Sequence, residues 1–315
     1  MKLAMVFPGQ GSQSVGMLKG YDGLPEADAV RAEAQAALGA DFLKLLDEGP
    51  AEQLNLTVNT QPAMVTAAIA AYRAWRALGG PAPAVVAGHS LGEYSALVAA
   101  GALSLKDALP LVRFRAQSMQ EAVPEGQGAM AAILGLDDEA ARAACAEAQA
   151  AGAPGEAVQA VNFNAPGQVV IAGSKAAVAR AIEACKARGA KRAMPLPVSA
   201  PFHSSLMQPA AEKLRGRLPG VPFATPAIPV INNVDVQVES DPARIRDALV
   251  RQAASPVRWV ETVKAMAAQG VTHIVECGPG KVLAGMVKRI DGNVQGLAAA
   301  DRASLEQALA AVKGG

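Results

Sequence analysis

One stretch constrains the fold of this chain more than any other: Ala84-Val85-Val86-Ala87, then Gly88-His89-Ser90-Leu91-Gly92, then 93–100 and Gly101. Four apolar residues in a row read as a short buried strand. The next five form a turn, and the following eight a helix that Gly101 closes. Strand, tight turn and helix make the unit of a parallel α/β sheet. The turn matches G-x-S-x-G, with the flanking elements in the order that pattern requires. A sharp passage from strand to helix pushes the Ser90 hydroxyl out of the sheet, and only glycines leave room for such a backbone beside its neighbours. The helix directs free N–H groups and the positive end of its dipole at the serine, which makes the Leu91 N–H a natural oxyanion donor. Five residues alone describe a glycine-rich turn with a capping serine equally well. The strand before and the helix after favour a nucleophile.

The flanking chain extends the alternation. Met1 to Phe7 holds one basic residue and a short apolar stretch ended by Pro8-Gly9. It lacks the apolar length and cleavage site of a signal peptide and reads as a buried first strand. Asn59-Thr60-Gln61-Pro62 reads as a helix start, running to Ala77-Leu78 and stopped by Gly79-Gly80. A second helix spans 105–122. After the break at 123–128 the order becomes strand 129–136, helix 137–150, strands 158–162 and 168–172, helix 174–188 and strand 191–198. This β-α-β-β-α-β order is the split βαβ, ferredoxin-like arrangement. It predicts an inserted small domain at 128–198 within a larger α/β domain made of 1–127 and 199–315. The larger domain is expected to end with a strand at 272–275, the Gly278-Pro279-Gly280 turn and a helix from Lys281.

Composition narrows the function classes. Lys+Arg (29) and Asp+Glu (28) nearly cancel, and aromatics are 3% of the 315 residues. A nucleic-acid surface would need a basic stripe or stacking platforms, so small molecules and proteins are the expected partners. No apolar run is long enough to span a bilayer. Cys145, Cys185 and Cys277 are odd in number and lack metal-ligand spacing. Cys145 and Cys185, on apolar faces of expected helices, read as small core residues, and a reducing cytoplasm fits.

A serine nucleophile needs a base, and the chain offers His89, His203 and His273. His89 adjoins Ser90 but should point elsewhere on that turn. His273 falls in a strand expected to be buried. His203, on a loop entering a helix just after the insert, is the candidate general base.

The same residues are similar to those of the malonyl-CoA:acyl-carrier-protein transacylase family, nearly end to end. Phe7-Pro8-Gly9-Gln10-Gly11-Ser12-Gln13 resembles its N-terminal signature. Thr60-Gln61-Pro62-Ala63, Gly88-His89-Ser90-Leu91-Gly92-Glu93-Tyr94, and Arg115 followed by Met119-Gln120 resemble the next three blocks. Asn162-Phe163-Asn164-Ala165-Pro166-Gly167-Gln168, Pro201-Phe202-His203-Ser204 and Glu276-Cys277-Gly278-Pro279-Gly280 complete them in order.

The resemblance implies an α/β-hydrolase-like large domain with a parallel sheet, plus the ferredoxin-like insert. It also implies Ser90 as nucleophile and His203 as base, with the backbone carbonyl of Gln252 holding the histidine in place of an acid. The N–H groups of Gln10 and Leu91 would form the oxyanion hole, each donor typically worth about 3 kcal/mol in the transition state. Arg115 would hold the malonyl carboxylate, since a guanidinium fork takes a carboxylate bidentately. From the residues alone Arg115 could be a solvated helix arginine, and Arg113 competes; only the spacing to Met119-Gln120 selects Arg115. Phe202 resembles the bulky residue of malonyl-selective members. A wall there would exclude a methyl branch by only about 1–3 kcal/mol. Gln61, His89, Met119 and Asn162 match positions near the acyl pocket.

The implied reaction is ping-pong transfer of malonyl from malonyl-CoA to the phosphopantetheine thiol of an acyl carrier protein, with no metal and no cofactor. The carrier protein could serve fatty-acid or polyketide synthesis; the free-standing length favours the former. A serine hydrolase or thioesterase would share Ser90 and His203 but have no use for Arg115. Lys186, Arg188, Lys191 and Arg192 cluster at the end of an insert helix. They would suit an acidic carrier protein, and equally a helix C-terminus that favours cations.

Overall fold

A computed structural model describes residues 1–198 and 200–314. Its strands are β1 (Leu3–Phe7), β2 (Val85–Gly88), β3 (Gly128–Leu134), β4 (Val158–Ala165), β5 (Gln168–Ser174), β6 (Arg192–Pro195), β7 (Val230–Ile231), β8 (His273–Cys277) and β9 (Gln295–Ala299). They form two sheets. The first is parallel throughout, in the order β7-β2-β1-β8-β9. The second is antiparallel, in the order β4-β5-β3-β6. With helices Asp138–Ala150 and Lys175–Ala187 it has the ferredoxin-like arrangement. The fold is thus α/β, with an α/β-hydrolase-like parallel sheet and a ferredoxin-like insert.

The first strand shows why a parallel strand reads as an unbroken apolar run. Leu3, Met5 and Phe7 face one core cluster, whereas Ala4 and Val6 face another across the sheet. All five are buried. Each fully buried valine, leucine, methionine or phenylalanine contributes about 1.5–3 kcal/mol. The insert has a third cluster of its own, which includes Cys145 and Cys185, both free thiols. It is joined to the larger sheet's side of the molecule through β4. The N–H of Val257 donates to Val161 O at 2.7 Å, and that of Phe163 to Val257 O at 3.0 Å.

Four expectations need correction. The helix read as starting at 59–62 is Thr57–Ala77, so Pro62 lies inside it. The hydroxyl of Thr60 donates to Leu54 O at 2.6 Å and ties down the earlier start, while proline forfeits one helical hydrogen bond. The last insert strand is only Arg192–Pro195, a largely exposed edge that ends in proline. His273 opens β8 half-buried, with Nδ1 2.8 Å from Thr272 Oγ1, and is not a core histidine. The chain also continues past the helix after Lys281 into β9 and the helix Arg302–Gly314. β7 has two residues and β9 consists largely of small ones, so neither carries a readable period.

Candidate active site

The turn after β2 is as tight as its glycines suggest. A Cβ on Gly88 would lie 1.8 Å from Gly92 O, and one on Gly92 would lie 2.2 Å from Phe7 O. Ser90 adopts φ 53°, the left-handed region, which costs a non-glycine residue about 1–3 kcal/mol. Asn233, just beyond β7, braces that conformation. Its Nδ2 donates to Gly88 O at 2.7 Å and its Oδ1 accepts from the Ser90 N–H at 2.8 Å. Within the turn, the N–H groups of Gly92, Glu93 and Tyr94 donate to His89, Ser90 and Leu91 carbonyls. The Leu91 N–H takes no part in that set.

His203 meets the serine from the opposite side. Its Nδ1 lies 2.9 Å from Gln252 O and its Nε2 2.7 Å from Ser90 Oγ. A carbonyl can only accept, so Nδ1 carries the proton and Nε2 accepts from the serine hydroxyl. His203 also has positive φ, 64°. Burial, with the Arg115 cation adding to it, pushes its pKa down to about 3 and keeps the ring neutral. The other histidines do other things. His89 Nε2 lies 2.8 Å from Asn164 Oδ1, its ring tilted against Trp259. His273 sits at the far end of the sheet, where β8 begins.

Arg115 projects from the helix Leu105–Glu121 and is 1% exposed. Its Nη1 donates to Gln61 Oε1 at 2.9 Å; its Nη2 donates to Gln252 Oε1 at 2.8 Å and to Ser90 Oγ at 3.2 Å. Nε finds no partner among the described residues. Arg113, two residues earlier, lies over the Phe42 ring at 5.4 Å and leaves the site to Arg115. Gln252 is the junction. Its carbonyl takes His203, its Oε1 takes Arg115, and its Nε2 donates to Ser90 O at 2.9 Å and Glu93 Oε2 at 3.0 Å. Glu93 Oε2 also accepts the Asn233 N–H at 3.0 Å. Burial pushes the Glu93 carboxyl up to about 7 against the opposing pull of these donors and Arg115.

A cavity of about 580 Å³ opens onto Ser90, His203 and Arg115. Gln10, Gln61, His89, Met119, Asn162 and Phe202 line it as well, so the structure gathers nine of the eleven expected site residues on one surface. Leu91 and Gln252 lie behind it, buried. Gln61 also reaches Met119 Sδ at 3.9 Å, and Asn162 Oδ1 is buried without a partner among the described residues. Glu93, Asn233 and the side chain of Gln252 escaped the sequence reading. Of these, only Glu93 falls within a quoted motif, and a glutamate opening a helix normally signals a dipole partner rather than a buried acid.

The arrangement can move the serine proton to an imidazole, offer N–H groups at the turn, and hold an anion beside the reacting oxygen. Of the cluster Lys186, Arg188, Lys191 and Arg192, two are already engaged, Lys186 with Glu183 and Arg188 with Glu147. No helix among the described residues is long and apolar enough to cross a membrane.

A family model of the acyl transferase domain matches residues 4–304, which makes this chain an acyl transferase. The malonyl CoA-acyl carrier protein transacylase of Escherichia coli (strain K12) is 59% identical over 290 residues, 92% of this chain and 93% of that protein. The Bacillus subtilis (strain 168) protein of the same name is 47% identical over 313 residues, 99% of this chain and 98% of its own. The crystal structure of an acyl-carrier-protein S-malonyltransferase from Burkholderia pseudomallei 1710b superimposes with a TM-score of 0.95 at 64% identity. It covers 98% of this chain and 99% of its own. A malonyl-transacylase solved in complex with its type II PKS acyl-carrier protein gives 0.94 at 53% identity, over 98% and 99%. The chain belongs to the malonyl CoA-acyl carrier protein transacylase family.

Proposed function

We propose that the protein moves the malonyl group of malonyl-CoA to the phosphopantetheine thiol of an acyl carrier protein, by a ping-pong route through a malonyl ester on Ser90. The reading rests on one observation above the others. A buried arginine with no carboxylate within ion-pairing distance among the described residues points into the same cavity as a hydrogen-bonded serine and histidine.

Ser90 Oγ attacks the thioester carbon while its proton passes to His203 Nε2. The oxyanion meets the N–H groups of Leu91 and Gln10. It collapses to break the C–S bond, and the imidazolium returns the proton to the departing CoA thiolate. The carrier-protein thiol then gives its proton to His203, attacks the ester and regenerates Ser90 Oγ. Throughout, the substrate's free carboxylate sits on Arg115. Gln61 takes one N–H of Nη1 and leaves the other to donate forward, while Nη2 gives one N–H to Gln252 and its other to Ser90 Oγ, from which the substrate carboxylate can take it. The bound carboxylate also offsets the cation that depresses His203, so the base strengthens when substrate is in place.

In this reading the residues 128–198 are an inserted small domain, with 1–127 and 199–315 as the catalytic domain. Phe202, Met119 and Asn162 shape the acyl end of the cavity. The complex of a relative with a type II PKS carrier protein keeps a polyketide acceptor beside the fatty-acid one. A plain thioesterase is disfavoured by Arg115, which such chemistry does not need. The test is Arg115→Ala. Malonyl transfer should fall by roughly a hundredfold or more, with a rise in the relative rate for acetyl-CoA, because a buried charge-assisted pair is lost. A variant that still prefers malonyl over acetyl as the native protein does would remove the carboxylate from Arg115.

A further inference from the structure

Arg115 is buried, yet no carboxylate lies within 4 Å of its guanidinium among the described ion pairs. Its charge is answered at one remove. Gln252 Oε1 accepts from Arg115 Nη2 at 2.8 Å, and the same amide donates through Nε2 to Glu93 Oε2 at 3.0 Å. The amide dipole therefore lies between cation and carboxylate, its negative end on the arginine and its positive end on the glutamate. A direct Arg–Glu pair would occupy the fork bidentately. An interposed amide balances the charge while taking a single N–H of Nη2, so that an N–H of Nη1 beyond its bond to Gln61 stays available to a substrate carboxylate.

We propose that Glu93 is the counter-charge of Arg115, acting through Gln252, and that it limits how tightly the site holds a substrate carboxylate. This rests on the reading of Arg115 as the carboxylate site. Besides Arg115, Asp235 is the charge that acts on Glu93, and it is already held in a two-point pair by Arg251. The half-exposed Glu239 borders the same small cavity as Glu93. The Asn233 N–H also ends on Glu93 Oε2, so the carboxylate oxygen that takes Gln252 is fixed by a second donor. A double-acceptor oxygen suits the ionised form, and the raised pKa of about 7 leaves the group ionised at pH 8.

Removing this charge while keeping the hydrogen bonds should strengthen the grip on an anion. Glu93→Gln does so, because its amide oxygen can take the place of Oε2 for both donors. The probe is free malonate as an inhibitor competing with malonyl-CoA at pH 8. Its inhibition constant should fall roughly tenfold in Glu93→Gln, the size expected of one charge at short range in a protein interior. A constant that stays the same or rises in a folded Glu93→Gln protein overturns the proposal, since loss of packing alone can only weaken malonate. Glu93→Asp, which keeps the charge, is the second variant. Its constant should stay within about threefold of the native one, and a drop like that expected for glutamine would equally overturn the counter-charge role. Arg115→Ala separates the two levels. If it leaves malonate inhibition unchanged, the carboxylate site itself is wrong. If it abolishes inhibition while Glu93→Gln has no effect, only the counter-charge idea fails.

Discussion

The two walls of the cavity are built differently. On the side of the parallel sheet, Ser90, Arg115 and Gln252 are joined by hydrogen bonds of 2.8–3.2 Å, and Asn233 and Glu93 lock the turn from behind. On the other side the insert contributes Met130, Leu196, Pro197 and Val198, together with Asn162. Met130 and Asn162 come from strands β3 and β4, and the other three from the chain that leaves the exposed edge β6. One wall fixes atoms and the other encloses volume. Chemistry that needs reacting atoms held within a fraction of an ångström belongs on the first. A substrate carried on a long pantetheine arm needs an open-edged wall, and Leu196, the exposed Pro197 and Val198 border such an edge.

This contrast predicts a graded series. His203→Ala should reduce malonyl transfer by about a hundred- to ten-thousand-fold, measured by steady-state formation of acylated carrier protein. Asn233→Ala comes next, although Asn233 is outside the cavity lining. It leaves the Ser90 N–H and Gly88 C=O unpaired, so it should destabilise by about 1–3 kcal/mol per orphaned group and lower kcat more than KM. If its kcat matched the native value, the turn would not depend on that brace. Val198→Ala, on the insert side, should change transfer less than about threefold, because it trims a half-buried apolar contact. An effect there as large as that of Asn233→Ala would erase the distinction between the walls.

A pH profile sharpens the same comparison. In the proposed mechanism the base is neutral His203, whose pKa is held near 3 by burial and Arg115. Falling pH protonates it only after passing well below the ordinary histidine range. The histidine limb of kcat/KM should therefore lie under pH 6.5, and Arg115→Ala should move it upward. A limb at or above 6.5 in the native protein would mean that His203 is more solvated than its 3% exposure indicates.

The sequence was legible where a local pattern has one physical cause. The glycines at 88 and 92 announce a backbone too close to its neighbours for a side chain, and the alternating strand and helix segments announce the parallel sheet. β1 was readable as a strand from its short apolar run, though not which core each residue faces. The split βαβ order was readable for the same reason. Pro62 misled because a proline usually marks the first helical turn, and here tertiary packing carries the helix through it. β7 and β9 owe their existence to neighbouring strands and not to their own residues. The brace behind Ser90 was unreadable in a stronger sense. Asn233 and Glu93 lie 140 residues apart and acquire meaning only when β7 pairs with β2. Polar residues in loops look alike until the fold shows which of them are buried. Arg113 and Arg115 were separable by family spacing alone, and the helix then turned one over Phe42 and the other into the cavity.

The most direct trial of the whole account is to incubate the protein with malonyl-CoA without carrier protein, quench in acid, and map the added mass by peptide. A single malonyl group should appear on the peptide that carries Ser90, be absent from Ser90→Ala, and vanish when carrier protein is added before the quench. An unmodified Ser90 peptide under turnover conditions, or a malonyl group lodged on another residue and equally competent for transfer, would contradict it.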